Sequence, residues 1–274
     1  MTTNRGNTIV KCVSFSARLA PLSVFVLFLS CSQADIASRR DPCLPKPTDL
    51  VSFFPGDGHA FDVIGRDEGL FTGTAQFEPG VVAQAFRFDG FGSLVTISSS
   101  AKLGFVSSFS IVCWVKLNVP LARQPMYGLY NEYPFIVEKG DGGYTQRNYR
   151  LYFSQQKNSL NFDGFNQPGQ THVFSTSLEH ADKYFDDLRW HWVSATWDRS
   201  RLTATIFIDG KPVVSAQGTD NDLLTNSYPL RIGAAGFDRY FLAGSIDELA
   251  LFSRSLSQSE IIAIYRAESN GFCK

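Results

Sequence analysis

Between Leu50 and Ser253 short apolar runs alternate with clusters of Gly, Asp, Asn and Pro, and helical spacing is scarce. The runs "LVSFF", "AFRFD", "SLVTIS", "FSIVCWVKL", "FIVEK", "RLYFSQ", "SLNFDG", "HVFSTS", "WHWVSATWD", "TATIFIDG", "LRIGAA" and "IDELALF" predict strands. In "HWVSATWD" the period is two: Trp192, Ser194 and Thr196 share one face, and Val193, Ala195 and Trp197 share the other. "TATIFIDGKPV" predicts a hairpin, with Asp209 and Gly210 at the turn where positive φ is needed. The end of the chain breaks this pattern. Ser257, followed three residues later by Glu260, makes a capping box with Leu256 ahead of it, and Ile261, Ile262, Ile264 and Tyr265 give a narrow apolar stripe. A short C-terminal helix is expected there, stopped by Gly271. So many antiparallel strands need two packed layers to cover their apolar faces, and no linker divides the chain after residue 50, so one domain is expected.

The first residues read differently. Arg5, Lys11 and Arg18 precede the apolar run Leu19 to Ser30, and no acid occurs before Asp35. This is the layout of a secretory signal over residues 1–34, followed by a polar linker over 35–47 and the domain over 48–274. The run is shorter than the roughly 20 residues of a membrane-spanning helix and contains Pro21, so no retained span is expected. Two processing sites stay open. Cleavage after Ala34 satisfies the small-residue rule, whereas cleavage after Ser30, at "FLSC", would leave Cys31 as a lipid-anchored first residue. The expected location is secreted or in the cell envelope. Loss of the leader removes Arg5, Lys11 and Arg18 and no acid, moving the formal net charge from −1 to −4. With no Lys/Arg run in the sequence, nucleic acid is excluded as a partner.

Cysteine usage adds a constraint. Cys12 and Cys31 belong to the leader, and Cys113 sits in an apolar strand as a small buried hydrophobe. Cys43 and Cys273 remain, one at each end of the domain; in an oxidising compartment they pair, and the alternative is two free terminal thiols.

The opening segment Leu50 to Ile97 and the closing segment Phe241 to Ala267, with "FSIVCWVKL", "WHWVSATWD" and "IFIDGKPV" in order between them, resemble bacterial laminin G-like jelly-roll domains of the concanavalin A-like superfamily. The resemblance covers roughly Cys43 to Cys273. It departs at Pro120 to Pro134, which is longer and more aromatic than the family usually has there. It implies an all-β, two-sheet antiparallel jelly-roll sandwich with one short C-terminal helix, in which "LVSFF" pairs near "IDELALF" and the "GDGHAFD" turn approaches Asp247. It also implies a structural calcium ion, for which Asp57, Asp62 and Asp247 are the candidate ligands. The alternative is that Asp57 and Asp62 shape turns while Asp247 accepts from loop amides.

Catalytic patterns are missing from the sequence. There is no G-x-S-x-G, H-E-x-x-H, phosphate-cradling loop or C-x-x-C, and no E-x-D-x-x-E run of the kind that glucanases of this superfamily carry. Glu132 and Glu138 have the spacing of one strand face, but Pro134 interrupts them. His59, His172, His180 and His191 show no ligand spacing. Binding is the expected activity, carried on loops held by a rigid scaffold. Two long loops offer it: Tyr127, Tyr130, Asn131 and Tyr133 in one, Phe165 and Asn166 in the other. Aromatic plates beside amides suit the faces and hydroxyls of sugars. The reading is therefore a non-catalytic exported module that recognises carbohydrate or glycoconjugate, with a protein-binding adhesive or scaffold module as the alternative and a glycoside hydrolase further behind.

Overall fold

The computed structural model describes residues 43–125, 133–142, 145–166, 171–236, 240–267 and 270–272, and the backbone of two short N-terminal strands. The chain divides into Met1–Pro42 and Cys43–Lys274. In the first unit β1 (Val13–Phe15) pairs antiparallel with β2 (Phe28–Ser30). Both processing sites lie at the edge of or outside the described residues.

The second unit runs β3 (Leu50–Phe54), β4 (Gly69–Thr72), β5 (Gln76–Pro79), β6 (Gln84–Asp89), β7 (Leu94–Ile97), β8 (Phe109–Leu117), β9 (Phe135–Gly140), β10 (Arg147–Ser154), β11 (Ser159–Phe165) and β12 (His172–Glu179). After α1 (Asp182–Phe185) come β13 (His191–Asp198), β14 (Thr203–Ile208), β15 (Lys211–Gln217), β16 (Leu230–Ile232), β17 (Ala243–Phe252) and α2 (Gln258–Ala267). One sheet has the order β12-β11-β10-β9-β16-β7-β4 and the other β15-β14-β13-β8-β17-β6-β5, with β3 also on β17. All their pairings are antiparallel. This is the two-sheet jelly-roll sandwich expected from the sequence.

The main core lies between the sheets. Val193, Ala195 and Trp197 enter it from β13, and Tyr149, Leu151, Phe153, Leu160 and Phe162 from β10 and β11, each within the alternation that the sequence shows. Full burial of one such large apolar side chain contributes about 1.5–3 kcal/mol. A second apolar cluster, including Trp114, Trp192, Phe53, Phe252, Ile261 and Phe272, covers the opposite face of the second sheet, beneath α2. There the capping box forms as expected: the Ser257 N–H donates to Glu260 Oε2 at 2.8 Å, and the Glu260 N–H donates to Ser257 Oγ at 3.3 Å. The Asp209–Gly210 turn has φ of 52° and 76°, the positive values its hairpin requires.

The two extremities of the domain meet. Leu44 forms a parallel bridge with Phe272, and the Leu44 N–H donates to Gly271 O at 2.9 Å. β3 pairs with the second half of β17, Leu249 facing Phe54, as the resemblance implies. Cys273 itself lies outside the described residues. Cys113 is buried and free, and burial raises its thiol pKa.

Candidate binding groove

With Tyr149, Leu151, Phe153, Leu160 and Phe162 turned into the core, strand alternation sends Arg150, Tyr152, Asn161 and Asp163 to the other face of the first sheet. There a groove of about 210 Å³ opens. One part is aromatic, formed by Tyr133, Phe135, Tyr152 and Tyr240; the other is charged, formed by Glu138, Arg147, Arg150 and Lys157, with Ser154 and Asn161 between. The groove is smaller than the roughly 300–1,000 Å³ that encloses a drug-sized ligand, so anything larger than one small ring must extend along the sheet.

The charged part is a row built by register. Arg231 on β16 faces Glu138 on β9, Glu138 faces Arg150 on β10, Arg150 faces Asp163 on β11, and Asp163 faces Ser175 on β12. Opposed residues in such a row have Cβ atoms ~4.5–5.5 Å apart, so the alternating signs attract. Arg150 binds Asp163 Oδ2 through Nε at 2.8 Å and Nη2 at 2.7 Å. The Tyr152 hydroxyl donates to the same oxygen at 3.1 Å, and the Ser175 hydroxyl donates to Oδ1 at 2.8 Å. Burial alone would raise the Asp163 pKa, but His172, Arg150 and Ser175 outweigh it and hold the pKa at about 2. Glu138 goes the other way: burial raises its pKa against the opposing Gly236 N–H, which donates to Oε2 at 2.7 Å, and the nearby arginines. Arg147 and Arg150 also lie over the Phe165 ring, 5.2 and 5.0 Å from its centroid, and Arg150 lies 4.4 Å over Tyr152.

The aromatic part is packed edge to face. Tyr133 meets Tyr240 at 5.6 Å and Tyr152 at 5.9 Å between centroids, and Phe135 stacks on Tyr152 at 4.9 Å. Tyr133 is half-buried and Tyr152 is 8% exposed, so their rings are held before any ligand arrives.

Of the loop residues nominated by the sequence, Tyr133 lines the groove. Tyr127, Tyr130 and Asn131 lie outside the described residues. Phe165 is 1% exposed and acts from beneath, as a plate under the two guanidinium groups. Asn166 sits at the end of β11, its N–H donating to Thr171 O at 3.1 Å, and is not in the groove lining. The groove residues that the sequence does not single out, Arg147, Arg150 and Tyr152, lie on β10, and Glu138, weighed there with Glu132 as an acid pair, lies on β9. Arg150 and Tyr152 carry a signal as polar residues at alternate positions of "RNYRLYFS", as Asn161 and Asp163 do in "SLNFDGF", whereas Arg147 stands out of that alternation, across a register shift in β10.

The three acids nominated for calcium do not converge. Among the described residues no group of three His, Cys, Asp or Glu side chains is placed to hold a metal ion. Asp62 is saturated by protein donors: its Oδ1 accepts the N–H groups of Phe53 at 2.9 Å, Ile64 at 3.0 Å and Gly65 at 2.7 Å, and Oδ2 accepts the Ser52 hydroxyl at 2.5 Å. Asp57 Oδ1 accepts the Gln84 N–H at 3.0 Å. Asp247 Oδ2 accepts the Val81 and Val82 N–H groups at 2.8 and 2.9 Å, so the Gly80–Val82 loop lies beside it. Asp247 Oδ1 and both Glu248 oxygens are buried without a hydrogen-bond partner of ordinary geometry. Burial pushes Asp247 up to about 7 and Glu248 up to about 8. Both occupy the bulge where β17 changes partner from β6 to β3.

A laminin G-like family model, described as the concanavalin A-like lectin/glucanases superfamily, matches residues 89–262, more than half of the chain. The chain belongs to the concanavalin A-like lectin/glucanases superfamily. Among solved structures this superfamily member is similar to the binding domain of Paraclostridial Mosquitocidal Protein 1, at 15% identity and a TM-score of 0.62 over 79% of this chain and 52% of the other. It is also similar to the binding domain of Botulinum Neurotoxin DC in complex with SialylT, at 15% identity and a TM-score of 0.62, covering 80% and 52% of the two chains. The same toxin binding domain in complex with rat synaptotagmin II matches at 14% identity and a TM-score of 0.62, covering 80% and 51%. The chain thus spans about half the length of the structures it matches. At these identities the likeness shows the fold alone. Among curated proteins none matches the sequence.

Proposed function

We propose that the chain is an exported, non-catalytic binding module that takes up carbohydrate in the groove on the first sheet. The observation that carries this reading is the groove itself: tyrosine rings packed on one another beside hydrogen-bonding side chains of β10 and β11. Aromatic faces suit the apolar faces of sugar rings, and Asn161, Ser154 and the guanidinium groups suit their hydroxyls.

The carboxylates argue for binding over hydrolysis. Glu138 and Asp163 are two strand spacings apart, ~9–10 Å between backbones, near the outer limit of the roughly 6.5–9.5 Å that inverting glycosidases use. Yet Arg150 stands between them, and Asp163 accepts from Arg150, Tyr152 and Ser175, leaving no oxygen well placed to activate a water. The test is a glycan array with the secreted chain and its Tyr133→Ala variant. Binding of a defined glycan that the variant loses, without release of reducing ends, supports the reading; a blank array, or release of sugar, sinks it. A single protein partner captured by the chain, with capture insensitive to sugar, would favour the adhesive alternative.

Three further features belong to the same reading. The leader directs export, with processing after Ser30 to a lipid-bearing Cys31 or after Ala34. Cys43 pairs with Cys273, an arrangement favoured by the Leu44–Phe272 bridge beside them. The calcium expected with Asp57, Asp62 and Asp247 is best supported at Asp247, whose Oδ1 is buried without a donor beside the two Glu248 oxygens, and least at Asp62, whose oxygens are all supplied with donors. A chelator that leaves the melting temperature unchanged removes that ion.

A further inference from the structure

We infer that the groove selects an acidic oligosaccharide, a chain of sugar rings carrying carboxylate or sulfate groups. The inference rests on the carbohydrate-binding reading above and adds the charge of the ligand.

Three cationic side chains, Arg147, Arg150 and Lys157, line a groove on a chain whose formal net charge is −1. The positive charge is therefore local. Of the two acids in the row, Asp163 is spent on Arg150 and stays ionised, whereas burial favours the neutral form of Glu138. Arg147, Arg150 and Lys157 against Glu138 and Asp163 leave one positive charge in excess even with both acids ionised, so the balance beneath a ligand is positive.

The geometry also suits anions in a way that a scatter of surface lysines would not. Phe165 and Tyr152 lie under the guanidinium planes, and Asp163 fixes the rotation of Arg150 through two nitrogens. An arginine held this way keeps the N–H groups that Asp163 does not take in a fixed direction with little entropy left to lose, and a guanidinium edge matches a carboxylate or sulfate. Lys157 is exposed in the turn between β10 and β11, where it meets an extended ligand at the groove mouth. Tyr133 and Tyr240 stand at the aromatic part of the same groove, so a sugar ring and its acidic substituent can be engaged together.

The experiment is calorimetry with the full chain at low and high NaCl against three probes: a tetragalacturonate, a chondroitin sulfate tetrasaccharide and neutral cellotetraose. The expected result is binding of one or both acidic probes, little or none of cellotetraose, and affinity that falls with salt. Lys157→Gln, at an exposed position with no fold risk, should weaken acidic binding by about 2- to 5-fold. Arg147→Gln, checked by its melting curve, should weaken it by about tenfold or more. The carboxylate and sulfate arms show which anion the groove prefers, and either one supports the inference. Equal binding of cellotetraose, lost on Tyr133→Ala, overturns the acidic preference and leaves the carbohydrate reading standing. Acidic binding that is insensitive to both cation substitutions also overturns it. No binding by any probe sinks both.

Discussion

Asp62 separates a loop brace from an ion ligand, and the structure gives the numbers needed. Its carboxylate is fully buried and accepts four donors: the Ser52 hydroxyl and the amides of Phe53, Ile64 and Gly65. Asp62→Ala strands them. Ile64 and Gly65 lie in a half-buried turn where water can replace the acceptor, but the Phe53 N–H and the Ser52 hydroxyl belong to a buried strand. Counting those two alone, at ~1–3 kcal/mol for each unsatisfied buried group, the loss is about 3–4 kcal/mol. For a domain of this size that lowers Tm by roughly 10 °C. Asp62→Asn keeps Oδ1 for the three amides and turns an NH2 toward Ser52, whose hydroxyl can rotate to accept, so it should cost only about 1–2 kcal/mol. Thermal melts of both variants, with calcium and with chelator, test this. If Asn is as damaging as Ala, or if chelator removes the difference between parent and variants, then Asp62 holds an ion and the brace argument is wrong.

Other consequences follow from the groove and the clasp. Asp163 has a folded pKa of about 2 against an ordinary 3.8, so the stability it contributes, about 2 kcal/mol, is present above pH ~4 and is lost as pH falls toward 2. Acid melts of Asp163→Asn should lack that slope. Glu138 is shifted upward by burial, so its stabilising contribution is full below pH ~4.5 and is lost as pH rises through the folded value. Glu138→Gln, which keeps an acceptor for the Gly236 N–H, should flatten the stability profile on that side. Asp163→Leu alone should cost about 3–5 kcal/mol by stranding Arg150, whereas Asp163→Leu with Arg150→Met should recover much of the loss; a double variant no better than the sum of the singles would deny the coupling. Cys43→Ser should lower Tm sharply, because a disulfide closing more than two hundred residues restricts the unfolded chain by about 5 kcal/mol in the loop-entropy model; an oxidised mass showing both thiols intact would contradict the pairing.

Most of the sandwich was legible because period-two alternation is imposed by burial on one face. "LVSFF" and "FSIVCWVKL" match β3 and β8 residue for residue. The strands that escaped, β4 "GLFT" and β5 "QFEP", are short, largely exposed and at sheet edges, so little burial shapes their sequence. The groove was legible only in part. Long loops commonly carry function, which points to the loop tyrosines, and of these Tyr133 lines the groove. The charged half is instead set by register: Glu138, Arg150 and Asp163 lie on three different strands and come into one row only when β9, β10 and β11 are aligned. Asp62 and Asp247 looked alike as acids beside turns, and only their donors tell them apart.

The charged row carries a cost that the fold alone would not require. Glu138 and Asp163 are each 1–2% exposed and Arg150 is largely covered, so each gives up hydration that the partners only partly restore. Apolar residues at those positions would pack a sheet face at no such cost, as they do on the opposite face of the same strands, where Val137, Leu151 and Phe162 lie. Where a sheet keeps ionised side chains in one register row, and braces them with aromatic rings beneath, stability is not the property being served. The property gained is fixed geometry: a guanidinium whose plane and rotation are set by Asp163 and by the Tyr152 and Phe165 rings. Under the proposed function, recognition would then rest on the sheet itself, whose strands set the chemistry of the groove.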